Sequence, residues 1–276
     1  MKRIIFIALV VFTSLAFSTK LEAQAILDIN PNEGLYEQAG TGEYTPMQYP
    51  PIREADVMWR KRIWRTIDFR QKMNQVFYYP TETHYNWNNF MQIIIDEWKA
   101  GDIVVYAFDD KKDELHNPMT YDSYLQKYGE LDYVDENSGD SIRKIDIESI
   151  QKLNIMEDWY FDRQRSQLMV RILAIGPVIN QQLDGQDNWV QMCWVSYNDA
   201  TRRVFAKSNF FNRDNPGATL NYDQIFMLRL FDSYIYKEEN PYDRKISDYY
   251  KGVKALYESD RIKQDIIDFE QNLWEY

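Results

Sequence analysis

The sequence predicts an α+β protein, with an antiparallel sheet in the C-terminal half packed with helices and a smaller helix/strand N-terminal half. Three observations predict it. Residues 157–197 hold short, largely apolar runs, apolar on both faces in 167–179 and 189–197, separated by turn signals, which is the pattern of paired, buried strands. Residues 51–73, 86–99 and 249–274 repeat apolar side chains at helical spacing. Aromatic residues make up 16% of the chain, and each buries a large area, so a sizeable core is feasible in a strongly charged sequence.

Lys2 and Arg3 precede an almost unbroken apolar run over 4–17, and Ala23-Gln24-Ala25 offers a small-x-small cleavage site. This predicts a cleaved secretory signal peptide over 1–23. The run is shorter than the ~20 residues of a comfortable span. No Cys follows it, so no lipid anchor is expected; the single Cys is Cys193. Export places the chain in an oxidising compartment with no intramolecular disulfide, and Cys193 in WVQMCWVSY is expected to be a buried apolar residue. Residues 24–50 carry Gly, Pro, Asn and Glu without a period and read as an extended arm. The remainder divides into 51–144 and 145–276, and 51–276 is also compatible with one domain.

Residues 50–73, PPIREADVMWRKRIWRTIDFRQKM, are predicted to form a helix. Pro51 suits a first turn, and Trp59, Ile63 and Ile67 recur at i, i+4 and i+8, while Trp64 falls off that stripe. Arg53, Arg60, Lys61, Arg62, Arg65, Arg70 and Lys72 outnumber Glu54, Asp56 and Asp68, giving about +4 inside a chain of net −11. An Arg65–Asp68 pair is expected at helical spacing. Two readings stay open for the basic face: it lies in solvent or against the protein's own acidic surface, or it docks a partner through Trp59, Arg60, Lys61, Arg62 and Arg65, residue types that dominate binding hot spots. Nucleic acid is a poor partner for so acidic a chain. Removing residues 1–23 takes away Lys2, Arg3, Lys20 and Glu22, a net +2, and leaves the mature chain near −13. That asymmetry favours an acidic partner or self-association over anionic lipid.

A short strand is expected at 76–80, a helix at 86–99 closed by Gly101, and a buried strand at 103–108. Residues 109–148 hold twelve acidic and five basic side chains and read as a surface excursion with a short helix at 121–128. The turn at 135–140 lacks the ligand pattern of a calcium loop. A short helix is expected at 145–153, then strands at 157–162 and 167–179, the second ended or bent by Gly176-Pro177. A strand at 189–197 turns at 198–202 into another at 204–207. Helices close the chain at 222–232 and 249–274, the last packing on the sheet or on a neighbouring subunit.

The residues predict no enzyme. Two His (His84, His116) and one Cys leave little for a metal or a nucleophile, and HExxH, GxSxG, P-loop and GxGxxG patterns are missing. No pair among the many carboxylates is singled out. No catalytic, cofactor or metal residues are therefore assigned. An exported interaction protein is the leading class; a periplasmic peptide- or glycan-binding module is the alternative, and would require a concave aromatic pocket.

Two blocks carry a resemblance: READVMWRKRIWRTIDFRQKMNQVFYYP from Arg53 and EDWYFDRQRSQLMVRILAIGPV from Glu157. Both resemble the gliding-motility GldN family, called PorN in pigmented relatives, whose members are periplasmic components of the type IX secretion system. With the helix at 222–231, the resemblance covers most of the mature chain. It implies a non-catalytic subunit without cofactors, held at the outer membrane by a GldK-like lipoprotein. It also implies a ring containing copies of the chain itself, and contact with the periplasmic region of a GldM-like inner-membrane motor protein.

Overall fold

A computed structural model describes residues 45–46, 48–81, 88–108, 115–134, 141–183, 185–210 and 220–273. The signal-peptide and calcium-loop readings, and most of the arm, lie outside these residues. Contacts gather Tyr44–Tyr276 into one compact unit.

The chain is α+β, as its patterning predicts. The main sheet has seven antiparallel strands in the order β2-β8-β6-β5-β1-β9, with β7 also on β6. In chain order these are β1 (Val57–Asp68), β2 (Val105–Ala107), β5 (Ile150–Asp162), β6 (Gln167–Leu183), β7 (Gln186–Gln191), β8 (Cys193–Ser196) and β9 (Tyr234–Glu238). A separate hairpin pairs β3 (Glu130–Val134) with β4 (Ser141–Lys144). The helices are α1 (Phe90–Ala100), α2 (Tyr121–Tyr128), α3 (Asp199–Lys207), α4 (Tyr222–Met227) and α5 (Val253–Leu273).

The largest departure from expectation is the basic segment. It is not a helix: a short 3-10 turn at Glu54–Asp56 leads into β1, which lies between β5 and β9. A spacing of four fits a helical stripe, but it is also an even number, so Trp59, Ile63 and Ile67 share one face of a strand equally well. Trp64, unplaced by the helix reading, decides the matter. In the strand it turns to the opposite face and packs with Met156, Ala174 and Trp194. Arg65 and Asp68 then face opposite ways, and Asp68 pairs with Arg70 at 2.6 Å instead.

The helix-covered face of the sheet holds the main core. Ile67, Leu153, Ile155, Ile172, Ile175, Cys193 and Val195 meet Phe90, Ile94 and Trp98 of α1, Phe205 of α3, and Tyr222 and Phe226 of α4. Phe77 lies within ring contact of Phe69, Phe90, Tyr222 and Phe226. It gets there from a 3-10 turn, Lys72–Phe77, where a strand was expected. Asn74 fixes that turn: fully buried, it donates to Asp68 O and Asp232 O and accepts from Asp232 N, each at 2.9 Å. A second cluster joins Ile63 and Ile235 to Ile262 and Ile266 of α5.

Gly101 closes α1 with φ 83°, as expected of a C-cap. The expected helix at 145–153 is instead a turn ending in β5: Asp146 accepts from Glu148 N at 3.1 Å, and the apolar positions from Ile150 onward join the sheet. The expected strand at 204–207 belongs to α3, because Asn198 caps a helix by accepting from Thr201 N at 3.0 Å. The helix at 222–232 stops at Met227, ahead of a left-handed residue, Arg229 with φ 54°. Strand β9 then follows, unforeseen.

Strand β6 runs straight through Gly176-Pro177. Pro177 O accepts from Met192 N at 2.9 Å, so Pro177 points its backbone at the short break between β7 and β8. The N–H that proline lacks would point to the same side, and it is there, at Met192, that the facing ladder is interrupted. Gly176 serves a side-chain relay across the sheet: Thr66 Oγ1 donates to Asn154 (2.7 Å), Asn154 to Gln191 (2.9 Å), and Gln191 to Cys193 O (3.2 Å). A Cβ on Gly176 would stand 2.3 Å from Gln191 Nε2 and 2.9 Å from Cys193 O. Gly176→Ala is expected to cost about 1–3 kcal/mol, as overpacking does; urea unfolding measures it, and an unchanged midpoint would show that Gln191 yields freely.

Cys193 is 1% exposed, and burial pushes its thiol up to about 12. The native protein is expected to resist a thiol reagent at neutral pH and to react fully in denaturant. Rapid native labelling would contradict the structural role given to Cys193.

Candidate functional site

The five residues singled out by sequence lie on β1, and the alternation of a strand separates them. Trp59, Lys61 and Arg65 take the face that looks toward α5 and the main core. Arg60 and Arg62 take the other, beside Trp64.

Trp59 stacks on Phe269 of α5, ring centroids 4.7 Å apart, and so anchors the helix to the sheet. Lys61 Nζ meets Glu238 of β9 at 2.6 Å. Arg62 reaches across to Asp158 of β5 in a forked contact, Nε–Oδ1 at 2.7 Å and Nη2–Oδ2 at 3.1 Å. Arg60 lies 3.5 Å from both Asp158 and Glu239, with its side chain 44% exposed. Arg65 is inside the protein, 7% exposed, donating to Ser233 Oγ (2.9 Å) and Ser233 O (3.1 Å). Burial pulls the Arg65 guanidinium below its ordinary range, and the carboxylate of Glu157 opposes that shift.

Sequence reasoning missed Glu157, although β5 advertises it. Leu153, Ile155, Glu157 and Trp159 share one face by the period of two, so an acid stands in an apolar row. Glu157 is fully buried. It accepts from Arg229 at 2.8 and 3.3 Å and from the Trp159 indole N–H at 3.0 Å, close to Arg65. Arg229 reaches inward by taking its positive φ, while its neighbours Leu228 and Leu230 are 61% and 41% exposed. This cluster of two arginines around one carboxylate locks the loop before β9 onto the centre of the sheet.

A further buried pair joins α3 to α4. Arg202 Nε meets Asp223 at 2.9 Å, and Asp223 also accepts from Tyr197 Oη at 2.9 Å. Burial raises the Tyr197 hydroxyl well above its usual range, and the neighbouring Asp223 adds to the effect. Tyr49, at the end of the arm, packs its ring 4.6 Å from the Arg202 guanidinium and 4.9 Å from that of Arg171. Tyr49 thus packs the end of the arm onto the body of the protein. Among the described residues no group of His, Cys, Asp and Glu is arranged to hold a metal ion, and no helix is long and apolar enough to cross a membrane. His84 lies outside the described residues.

Comparison with protein-family models matches residues 52–275 to the family described as gliding motility associated protein GldN. The chain belongs to the GldN family. The matched span takes in every element from the basic strand to α5, so the family relationship covers the whole sheet and its helices. A comparison with curated proteins finds no match.

The geometry separates structural from surface cations. Removing one member of a buried pair costs ~3–5 kcal/mol, and the partial exposure of Arg229 places this cluster toward the lower end. Glu157→Gln and Arg65→Glu are therefore expected to lower stability by several kcal/mol in chemical denaturation. Arg60→Glu should change it by less than about 1 kcal/mol, as exposed pairs do. Equal effects at Arg65 and Arg60 would refute this division.

Proposed function

We propose that this GldN-family chain is a non-catalytic subunit of the type IX secretion and gliding machinery. In this reading it is exported to the periplasm by a cleaved signal peptide. There it assembles with a GldK-like outer-membrane lipoprotein into a ring of repeated subunits that meets the periplasmic region of a GldM-like motor protein. The family match over residues 52–275 is the observation that carries the proposal. The way the chain spends its charged side chains supports it. Arg62, Arg65, Arg202 and Arg229 are committed to internal carboxylate or backbone partners that hold the fold. These partners give each cation a packing role, as befits a scaffold.

The basic residues contribute unequally to any partner surface. Arg65 is inside and Trp59 is stacked on Phe269, so Arg60, with Lys61 and Arg62 behind it, is the part of the predicted set that a partner reaches. A tagged chain purified from membranes in mild detergent is expected to bring down a GldK-like lipoprotein in comparable amount. Elution as a lone monomer would overturn the assembly role.

A further inference from the structure

Among the described residues, a short stretch of β1 beside Arg62 has no strand paired along one side. Arg62 directs its backbone toward β9, where its N–H donates to Glu239 Oε2 (3.1 Å) and its carbonyl accepts from Glu239 N (2.9 Å). By the period of two, the N–H and C=O of Arg60 point to the same side. No strand among the described residues is paired with them there. The pairing of β9 with β1 covers only Ile63 to Thr66. Beyond Glu239 the chain turns away, because Asn240 Oδ1 accepts from Tyr242 N (3.1 Å) and Arg244 N (3.0 Å). Further along, α5 meets the outer side of β9, where Ile235 N–H donates to Ser259 Oγ at 2.8 Å. Among the described residues no such bond covers Arg60 on this side, and Met58 is 56% exposed beside it.

The side chains state what would fit. Arg62 is held by its fork on Asp158, but Arg60 stands 3.5 Å from both of its carboxylates, a loose pairing that leaves its donors for another acceptor. A second copy pairing through the same strand would bring Arg60, Lys61 and Arg62 near their own counterparts, and like charges across a ladder are destabilising. The edge therefore refuses itself and favours an acidic segment. We propose that residues 57–61 of β1 accept an extended acidic strand from a partner protein by β-strand addition, with a carboxylate opposite Arg60 and an apolar side chain beside Met58. The register shift between Val57 and Trp59 keeps the added strand short. The inference rests on the assembly reading only in assuming that a partner exists.

The test uses the full mature chain and two labelled, capped seven-residue peptides, one alternating Glu and Val and the other Lys and Val, followed by fluorescence anisotropy. The Glu/Val peptide is expected to bind about tenfold more tightly or better, and N-methylation of alternate amides should abolish its binding. Arg60→Pro removes only an outward N–H and is tolerated at an edge; it should unfold at the wild-type temperature and lose the peptide. Should that variant prove unstable, Arg60→Glu decides, since it keeps the edge and should reverse the preference toward the Lys/Val peptide. Equal binding of the two peptides, undiminished binding to Arg60→Pro, or an unaltered preference in Arg60→Glu would each overturn the proposal. Co-purification with the lipoprotein but no peptide binding would place assembly on another surface. Peptide binding without co-purification would keep the edge site and remove the assembly reading.

Discussion

The position of β1 is the constraint on which the other elements depend. It is registered with β5 at eleven positions and with β9 at four, and it contributes to the packing on both faces of the sheet. One face supplies Ile63 to the α5 cluster and Ile67 to the main core; the other supplies Trp64. A strand buried on both faces must satisfy two cores at once, and a slip of one residue would send each side chain to the wrong one. Met58–Asp68 therefore ties the first part of the chain to the C-terminal meander and, through Trp59 on Phe269, to the last helix.

Charge follows from the same arrangement. Placing a basic strand between β5 and β9 brings Asp158, Glu238 and Glu239 against it, so most of the local excess is neutralised within a few ångströms. The buried cluster at Glu157 goes further. It is the kind of polar group that adds little net stability over an apolar substitute but strongly disfavours arrangements that separate its members. Arg229 reaches it only with positive φ, so the loop conformation, the register of β5 and the docking of Arg65 are coupled. Of the five residues singled out, Arg60 keeps the most outward side chain on this strand, 44% exposed.

Several elements were legible because their signals are local. Gly101 marks the end of α1, though the helix expected from 86 begins at Phe90 behind the Asn89 cap, and the apolar runs between turn signals at 157–162 and 167–179 announce parts of β5 and β6. The single Cys within an apolar run was correctly placed in the core. Other signals were present and outweighed. Trp64 off the helical stripe, together with Val57, Ile63, Thr66 and Ile67, favoured a strand; Asn198 ahead of Asp199 favoured a helix start; Glu157 in an apolar row marked a buried acid. The bland reading of the basic face, against the protein's own acids, describes where most of these cations are found.

By itself the sequence determined the class of the fold, the glycine that ends α1, the strand pair at 157–162 and 167–179 and membership in the GldN family. All of these rest on patterns within a few residues of one another or on motifs carried whole. Only the tertiary structure decided that the basic segment is a strand, that Arg65 is interior, that Glu157 pairs with Arg229 some seventy positions away, and that β9 pairs with β1 only from Ile63 to Thr66. The reason is physical: a spacing of four suits both periods, and the choice between them was made by contacts with β5 and β9, which are remote in sequence.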